Sequence, residues 1–204
     1  MPRTGERYAI PAAVRWGAVM WLAIWIPAYW RTWGAANFLH FCDLAVFLTC
    51  AGLFFESALL LSSQAVATLA IALVWVIDAA CKIFSGRYLL GGTDYLFDAR
   101  YPLWVRLLSL FHIAMPIILL WAVRRTGYDW RGWRLQSAIA LVAFIASRFT
   151  KSALNMNYAF ADPFFHRTWG PSPAHIAVIF AFMLLVVYLP THVLLAHLFA
   201  RKSR

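Results

Sequence analysis

Six long apolar segments constrain this chain more than any other feature of its sequence. Each is close to the roughly 20 mainly apolar residues that a helix needs to cross about 30 Å of hydrocarbon. Lipid cannot hydrogen-bond the backbone, so such segments must be helices unless they close into a barrel, and the short alternating strands of a barrel do not occur in the sequence. We therefore predict an all-α, polytopic membrane helix bundle with about six transmembrane helices, forming a single transmembrane domain over residues 1–204. The predicted spans are 14–30, 35–53, 60–83, 102–123, 133–154 and 174–200.

Composition agrees with this class. The chain is 63% hydrophobic and only 13% charged, whereas a soluble domain carries about 25% charged residues. Its net charge of +10 is typical of basic residues that flank spans and meet anionic head groups. No basic run is long enough or sufficiently interleaved with aromatics to indicate nucleic-acid binding, so we expect membrane lipids as partners and no nucleic acid.

An even number of spans places both termini on one side of the membrane. Ten of the 18 Lys and Arg residues fall on that side and eight on the other, which favours a multi-pass protein of the cell membrane with both termini in the cytoplasm. The N-terminal apolar run has no small-residue cleavage site and is read as a retained first span. Pro27, Pro116 and Pro190 fall within predicted spans and predict kinks or opened backbone.

The stretch FLHFCDLAVF at 38–47 carries His40, Cys42 and Asp43 inside an apolar segment. With a helical rise of 1.5 Å per residue, Cys42 lies roughly 10 Å below the membrane face opposite the termini, Asp78 roughly 8 Å and His112 roughly 15 Å. The polar residues of that half of the bilayer are Cys42, Asp43, Asp78, Asp94, His112, Arg148, Asn155 and Asn157. Ionisable groups in spans usually face a cavity or a partner, so this set predicts a pocket open to one leaflet.

A thiol and an imidazole are the minimum for covalent acyl transfer. The Cys42 thiolate would attack, and His112 would take its proton and return it to the leaving group. Arg148 could help hold the anion, Asp43 or Asp94 could fix the imidazole tautomer, and Asn155 or Asn157 could donate to an oxyanion.

Structural roles are the alternative for the same residues. A cysteine in a span is commonly an apolar filler, and a mid-span histidine often hydrogen-bonds between helices. Asp43 and Asp78 could pair with Arg148 or His40 and only hold the bundle together. No paired-histidine spacing occurs near His40, Asp43 or His112, so we expect no metal site, and no cofactor is indicated.

Four short motifs in order resemble the YwaF-like family of integral membrane proteins. They are NFLHFCDLAVF in the second span, the loop GGTDYLFD at 91–98, SLFHIAMP around His112, and NMNYAF at 155–160. The resemblance covers roughly residues 35–190. This sequence departs from the family pattern in lacking a proline before Cys42 and a glycine after His112.

The resemblance implies a specific chemistry. A eukaryotic relative of the family is a transacylase that remodels ether phospholipids through a cysteine and a histidine, which would correspond to Cys42 and His112 here. Asp43, Asp94, Asn157 and Tyr158 would then be pocket residues. A more distant group of membrane hydrolases uses a threonine instead, and Thr49 is the poorer candidate nucleophile on the same helix.

Three functions therefore remain open from the sequence. The first is a lipid acyltransferase, transacylase or acyl hydrolase that acts in one leaflet, with Cys42 and His112 as catalytic residues. Its substrate-binding residues would be Asp43, Asp78, Asp94, Arg148, Asn155, Asn157 and Tyr158. The second is a module that binds or transports a lipid or small solute and depends on the aspartates but not on the thiol. The third is an accessory subunit of a larger membrane complex. A homo-oligomer is a further possible assembly.

Overall fold

The computed structural model describes residues 9–199, and within that range every regular element is helical. The prediction of an all-α bundle is confirmed. The α-helices are α1 (Ala12–Trp33), α2 (Phe41–Phe54), α3 (Ala58–Ser85), α4 (Asp94–Phe97), α5 (Leu103–Leu108), α6 (Phe111–Thr126), α7 (Gly132–Ser147), α8 (Ser172–Phe182) and α9 (Leu189–Phe199). Short 3₁₀ turns lie at Ala35–Leu39, Ser152–Leu154 and Met156–Tyr158, and a π-helical segment, Met183–Tyr188, joins α8 to α9.

Four of the six predicted spans are long and apolar enough to cross a membrane: Ala12–Trp33, Ala58–Ser85, Leu103–Thr126 and Ser172–Phe199. The other two are shorter, with 14 residues in α2 and 16 in α7. At 1.5 Å per residue they rise about 21 and 24 Å, less than the roughly 30 Å of hydrocarbon. The described chain thus has four helices of spanning length and two shorter apolar helices where six similar spans were predicted.

A break at His40 explains why α2 is short. The predicted span 35–53 is a 3₁₀ turn up to Leu39, then an extended residue at His40, and then α2. Asn157 satisfies the backbone at this break, since its Oδ1 accepts from Phe41 N–H at 2.9 Å and its Nδ2 donates to Leu39 C=O at 2.7 Å. Irregular backbone at membrane depth requires such partners from within the protein.

The fifth span also ends earlier than predicted, at Ser147 instead of residue 154. Ser147 Oγ donates to Ala143 C=O and accepts from Asn157 Nδ2 at 3.0 Å. The chain then turns through Asn155 and Asn157, both of which have positive φ. Lys151, before both of them, already has extended backbone angles, with φ of −63° and ψ of 130°, so the chain leaves the helical path ahead of the predicted end at residue 154.

Helix α3 is the centre of the bundle and packs against α2, α6, α7 and the π-helical segment. Its apolar neighbours include the fully buried Leu119 and Phe144. A buried polar chain crosses this core: Gln64 Nε2 donates to Gln136 Oε1 at 3.4 Å, and Gln136 Nε2 donates to the Tyr188 hydroxyl at 3.3 Å. Because lipid offers no alternative partners, this chain fixes α3, α7 and the π-helical segment against one another.

The bundle has two distinct ends. The terminal end holds both limits of the described chain: Arg15 pairs with Glu56 at 2.9 Å, Arg125 donates to Ala9 C=O, and Tyr128 bonds His192. The opposite end, called the loop end here, consists of residues 86–102 and 148–171. Ala200, with which the sixth predicted span ends, lies outside the described residues. So do five of the ten basic residues counted near the termini: Arg3, Arg7, Arg201, Lys202 and Arg204.

The predicted effect of the prolines on the helices, an opened backbone, is seen at one of the three positions. Pro27 and Pro116 lie inside α1 and α6. The π-helical segment directly precedes Pro190 in α9. Proline has no N–H and its ring crowds the carbonyl four residues earlier, so a widened turn at this point relieves that contact. The predicted opened backbone is therefore present before Pro190.

Gly132 at the start of α7 allows close contact with α3. A Cβ at this position would lie 2.8 Å from Ser62 Cβ and 2.8 Å from Ser63 N, which is backbone and cannot move alone. Gly132→Ala should therefore push α7 away from α3 and destabilise the protein by roughly 1–3 kcal/mol, measured as a lower thermal-unfolding midpoint in detergent. Gly17→Ala is the matched control because its Cβ would meet nothing within 4 Å. Equal midpoints for the two variants would contradict the close contact.

Candidate functional site

The break at His40 places Cys42 and Asp43 in the first turn of α2. Cys42 Sγ donates to Asp43 Oδ1 at 3.7 Å, and Asn37 Nδ2 donates to Asp43 Oδ2 at 2.6 Å. Asp43 is only 2% exposed. The carboxylate is thus held from both sides, and one of its oxygens faces the thiol.

His112 lies near the start of α6 with a defined tautomer. Its Nδ1 is 2.8 Å from the Ser109 carbonyl, and a carbonyl oxygen only accepts, so Nδ1 carries the hydrogen and Nε2 is an acceptor. The ring is sandwiched between Trp75, whose centroid is 4.6 Å away, and Phe111 at 4.2 Å. The ring of His112 is therefore held in one orientation, and in its neutral form Nε2 is the nitrogen that can accept a proton.

Cys42 and His112 share no hydrogen bond within residues 9–199, although α2 and α6 pack against each other. The thiol is instead bonded to Asp43. That His112 serves as the base for Cys42 stays a prediction.

Two residues at this site were not singled out from the sequence. Asn37 precedes the break and orients Asp43. Tyr95, in the GGTDYLFD loop, accepts a hydrogen bond from Trp75 Nε1 at 3.0 Å and so braces the ring that stacks on His112. The sequence singled out Asp94 in that loop, but its neighbour Tyr95 is the residue that contacts the site.

Asp78 is occupied by the backbone of the loop that follows α3. Its carboxylate accepts from the N–H groups of Leu89, Leu90, Gly91 and Thr93 and from the Thr93 hydroxyl, at 2.6–3.2 Å. Five donors to one buried carboxylate compensate its burial. Asp78 therefore anchors residues 89–93 over the loop end.

Asp94 has a different position from the other predicted residues. It is exposed, and its Oδ1 accepts from the N–H of the next residue, Tyr95, at 2.6 Å. It lies at the surface of the loop, where it starts the short helix α4.

Asn155 and Asn157 both tie backbone together. Asn155 accepts from the N–H groups of Phe160 and Ala161 and donates to Ala161 C=O, while Asn157 joins the α2 break to the end of α7. Tyr158, with φ of 60°, is 40% exposed. Its carbonyl accepts from the fully buried His175 Nε2.

Arg148 lies just beyond α7 and is half-buried. Its Nη1 donates to Ala159 C=O at 3.0 Å, and its guanidinium lies 4.1 Å from the centroid of the Phe160 ring. Across residues 9–199, Arg148 forms no ion pair with Asp43 or Asp78, and His40 forms none with them either. The alternative in which these aspartates pair with Arg148 or His40 is therefore not seen in the described chain.

An apolar cavity of about 520 Å³ lies between α1, α2 and the α5–α6 pair. Its wall on α2 is formed by Val46, Thr49, Cys50 and Leu53, and Cys42 lies one turn before Val46 on the same helical face, since i, i+4, i+7 and i+11 share a face. Thr49 is 4% exposed, and its hydroxyl has no hydrogen-bond partner.

The cavity opens at the side of the bundle. Trp104, Leu110 and Ile118 line it and are themselves exposed at the surface of the bundle. A second groove lies between α7 and α8. Neither the cavity nor this groove is lined by Cys42 or His112.

Metal ligation finds no geometric support in residues 9–199, where no three His, Cys, Asp or Glu side chains gather.

No family model, curated protein or solved structure matches the chain.

Asp78→Asn should loosen the 89–93 loop, because the amide replaces one acceptor oxygen by a donor that faces backbone N–H groups. We expect faster protease cleavage within residues 86–93 while the helices stay intact. Asp94→Asn is the matched control, since Asp94 bonds only its neighbour's N–H. Unchanged cleavage in Asp78→Asn would show that this carboxylate does not hold the loop.

Asp162 makes the loop end sensitive to acid. Burial of its carboxylate alone would raise its pKa, but the N–H groups of Phe165, Phe164 and Arg167 that bond it outweigh burial and lower the pKa. Its stabilising contribution is therefore complete above the pKa of the unfolded chain and disappears as pH falls through the lower folded-state value. The difference in unfolding midpoint between the wild type and Asp162→Asn should shrink on acidification, and a difference independent of pH would refute this.

Proposed function

We propose that this integral membrane protein transfers acyl groups between lipids within the bilayer, with Cys42 as the nucleophile. The observation that carries the proposal is the bond from the Cys42 thiol to the oriented Asp43 carboxylate, on the α2 face that continues into the apolar cavity. A reactive group and a lipid-accessible apolar cavity on one helix face are what acyl chemistry on a membrane lipid requires.

The position of Cys42 favours its reactivity. It is the second residue of α2, and a helix N-terminus stabilises a developing thiolate. Burial opposes the thiolate, so a nearby proton acceptor is needed. Asp43 supplies one at 3.7 Å.

The proposed acyl transfer has two steps. In the first, Cys42 Sγ attacks the ester carbonyl of a donor lipid, a C–S bond forms, the ester C–O bond breaks, and the thiol proton passes through Asp43 to the departing alkoxide. In the second, the hydroxyl of an acceptor lipid attacks the thioester, its proton passes back to the thiolate, and the C–S bond breaks. Hydrolysis follows the same route with water as the acceptor.

His112 is the second candidate for the proton acceptor. Its Nδ1 is bonded to the Ser109 carbonyl, which leaves Nε2 to accept a proton in the neutral ring, and the ring stacks on Trp75 and Phe111. The resemblance to the YwaF-like family, which we also propose, assigns the base to this histidine. We further propose that the protein lies in the cell membrane with both termini in the cytoplasm.

The experiment uses the full chain in lipid nanodiscs with a labelled phospholipid donor and a lysolipid acceptor, read by mass spectrometry. Cys42→Ala should abolish both acyl transfer and the thioester trapped on the protein. Asp43→Asn should lower the rate about 100-fold or more if Asp43 moves the proton, whereas the same loss in His112→Gln would give that role to the histidine.

Cys50→Ala is the matched control for the nucleophile, because Cys50 lies on the same face of α2 in the cavity wall. It should retain transfer. Full transfer by Cys42→Ala would eliminate the proposed nucleophile.

Lipid binding without chemistry is the second candidate function. The buried Thr49 hydroxyl, unpartnered in an otherwise apolar cavity, favours it, since a buried polar group without a partner is costly and a lipid carbonyl would satisfy it. If the wild type retains a lipid but transfers no acyl group in the assay above, and Thr49→Val releases that lipid, binding alone is the function.

A further inference from the structure

A second groove lies on the opposite flank of the bundle, between α7 and α8. It has a volume of about 470 Å³. Arg148 and Ser172 line one end of it, and Leu141, Ile145, Ile176 and Phe180 line the rest. We propose that this groove binds one anionic phospholipid, with the phosphate at Arg148 and an acyl chain between the two helices.

The groove is polar at one end and apolar along the rest of its length, like a phospholipid with its head group and acyl chain. Arg148 and Ser172 lie at the loop end, where α7 finishes and α8 begins. From there, Ile145 and Leu141 lead along α7 and Ile176 and Phe180 along α8, about 10–12 Å into the bundle at the helical rise. A head group at the membrane surface and a chain directed inwards match this order.

Charge complementarity identifies the head group as anionic. The Arg148 guanidinium has five N–H donors, one of which goes to Ala159 C=O. The ion pairs of the described chain are Arg15–Glu56, Arg100–Asp98 and Arg131–Asp129, so no carboxylate of residues 9–199 pairs with Arg148. A half-buried cation beside lipid is stabilised by an opposite charge, and guanidinium binds phosphate oxygens in a bidentate manner.

The bond to Ala159 and the Phe160 ring fix the guanidinium at the mouth of the groove. A positioned cation loses less entropy on binding than a mobile one. This distinguishes Arg148 from basic residues that only attract anionic lipids to the surface in general.

The test measures lipid retained by the full chain after exchange from nanodiscs containing equal phosphatidylglycerol and phosphatidylcholine, using native mass spectrometry. The wild type should retain phosphatidylglycerol preferentially. Arg148→Gln should reduce that preference about tenfold, as expected for loss of a charge-assisted hydrogen bond. Soluble glycerol phosphate should not displace the lipid, because it lacks the chain that fills the groove.

Ala177→Trp tests the apolar part while leaving Arg148 in place. Ala177 is exposed within the groove, so an indole there should displace the chain and lower retention to a similar extent. Val178→Trp is its control, since Val178 is exposed beside the groove but does not line it. Arg167→Gln is the control for charge, because its guanidinium stacks on Trp169 outside the groove.

Wild-type selectivity in both Arg148→Gln and Ala177→Trp would overturn the proposal. Equal loss in Arg167→Gln would overturn it as well, because the preference would then come from the overall positive charge. Displacement by glycerol phosphate alone would assign the site to a free phosphate and not to a lipid. Since the groove contains neither Cys42 nor Thr49, Cys42→Ala should leave this selectivity unchanged whether or not the protein transfers acyl groups.

Discussion

The side chain of Asn157 joins parts of the chain that are 116–118 residues apart in sequence. It satisfies one backbone N–H and one C=O at the break before α2 and bonds Ser147 at the end of α7. Inside a membrane these groups have no water to bond. This one amide therefore stabilises the break that makes α2 short and places Cys42 at a helix start, and it ties that break to the end of α7.

The same need for partners explains most of the polar residues at the loop end. Asp78, Asn155 and Asp162 each bond several backbone groups of the loop nearest to them. Cys42, Asp43 and His112 differ, because they do not bond the backbone of a loop in this way. The Cys42 thiol bonds the Asp43 carboxylate, and the His112 ring uses Nδ1 for the Ser109 carbonyl. The polar residues that do not hold a loop are therefore fewer than the set predicted from the sequence.

The two apolar cavities differ in the polar group that each presents. The one between α1, α2 and α5–α6 has an isolated hydroxyl at Thr49 and continues along α2 to the thiol. The one between α7 and α8 has a guanidinium at its mouth. A neutral ester group suits the first and an anionic head group the second, so substrate and bound structural lipid would occupy separate places.

The sequence alone determined the helical class and the approximate limits of four long apolar helices, because apolar length and the scarcity of charge are local properties. It also drew attention to Cys42, Asp43 and His112. The tertiary structure alone decided that α2 breaks at His40, that Asn37 orients Asp43, and that Asp78 serves a loop. Those outcomes depend on which distant backbone group each side chain reaches, and spacing along the chain does not encode that.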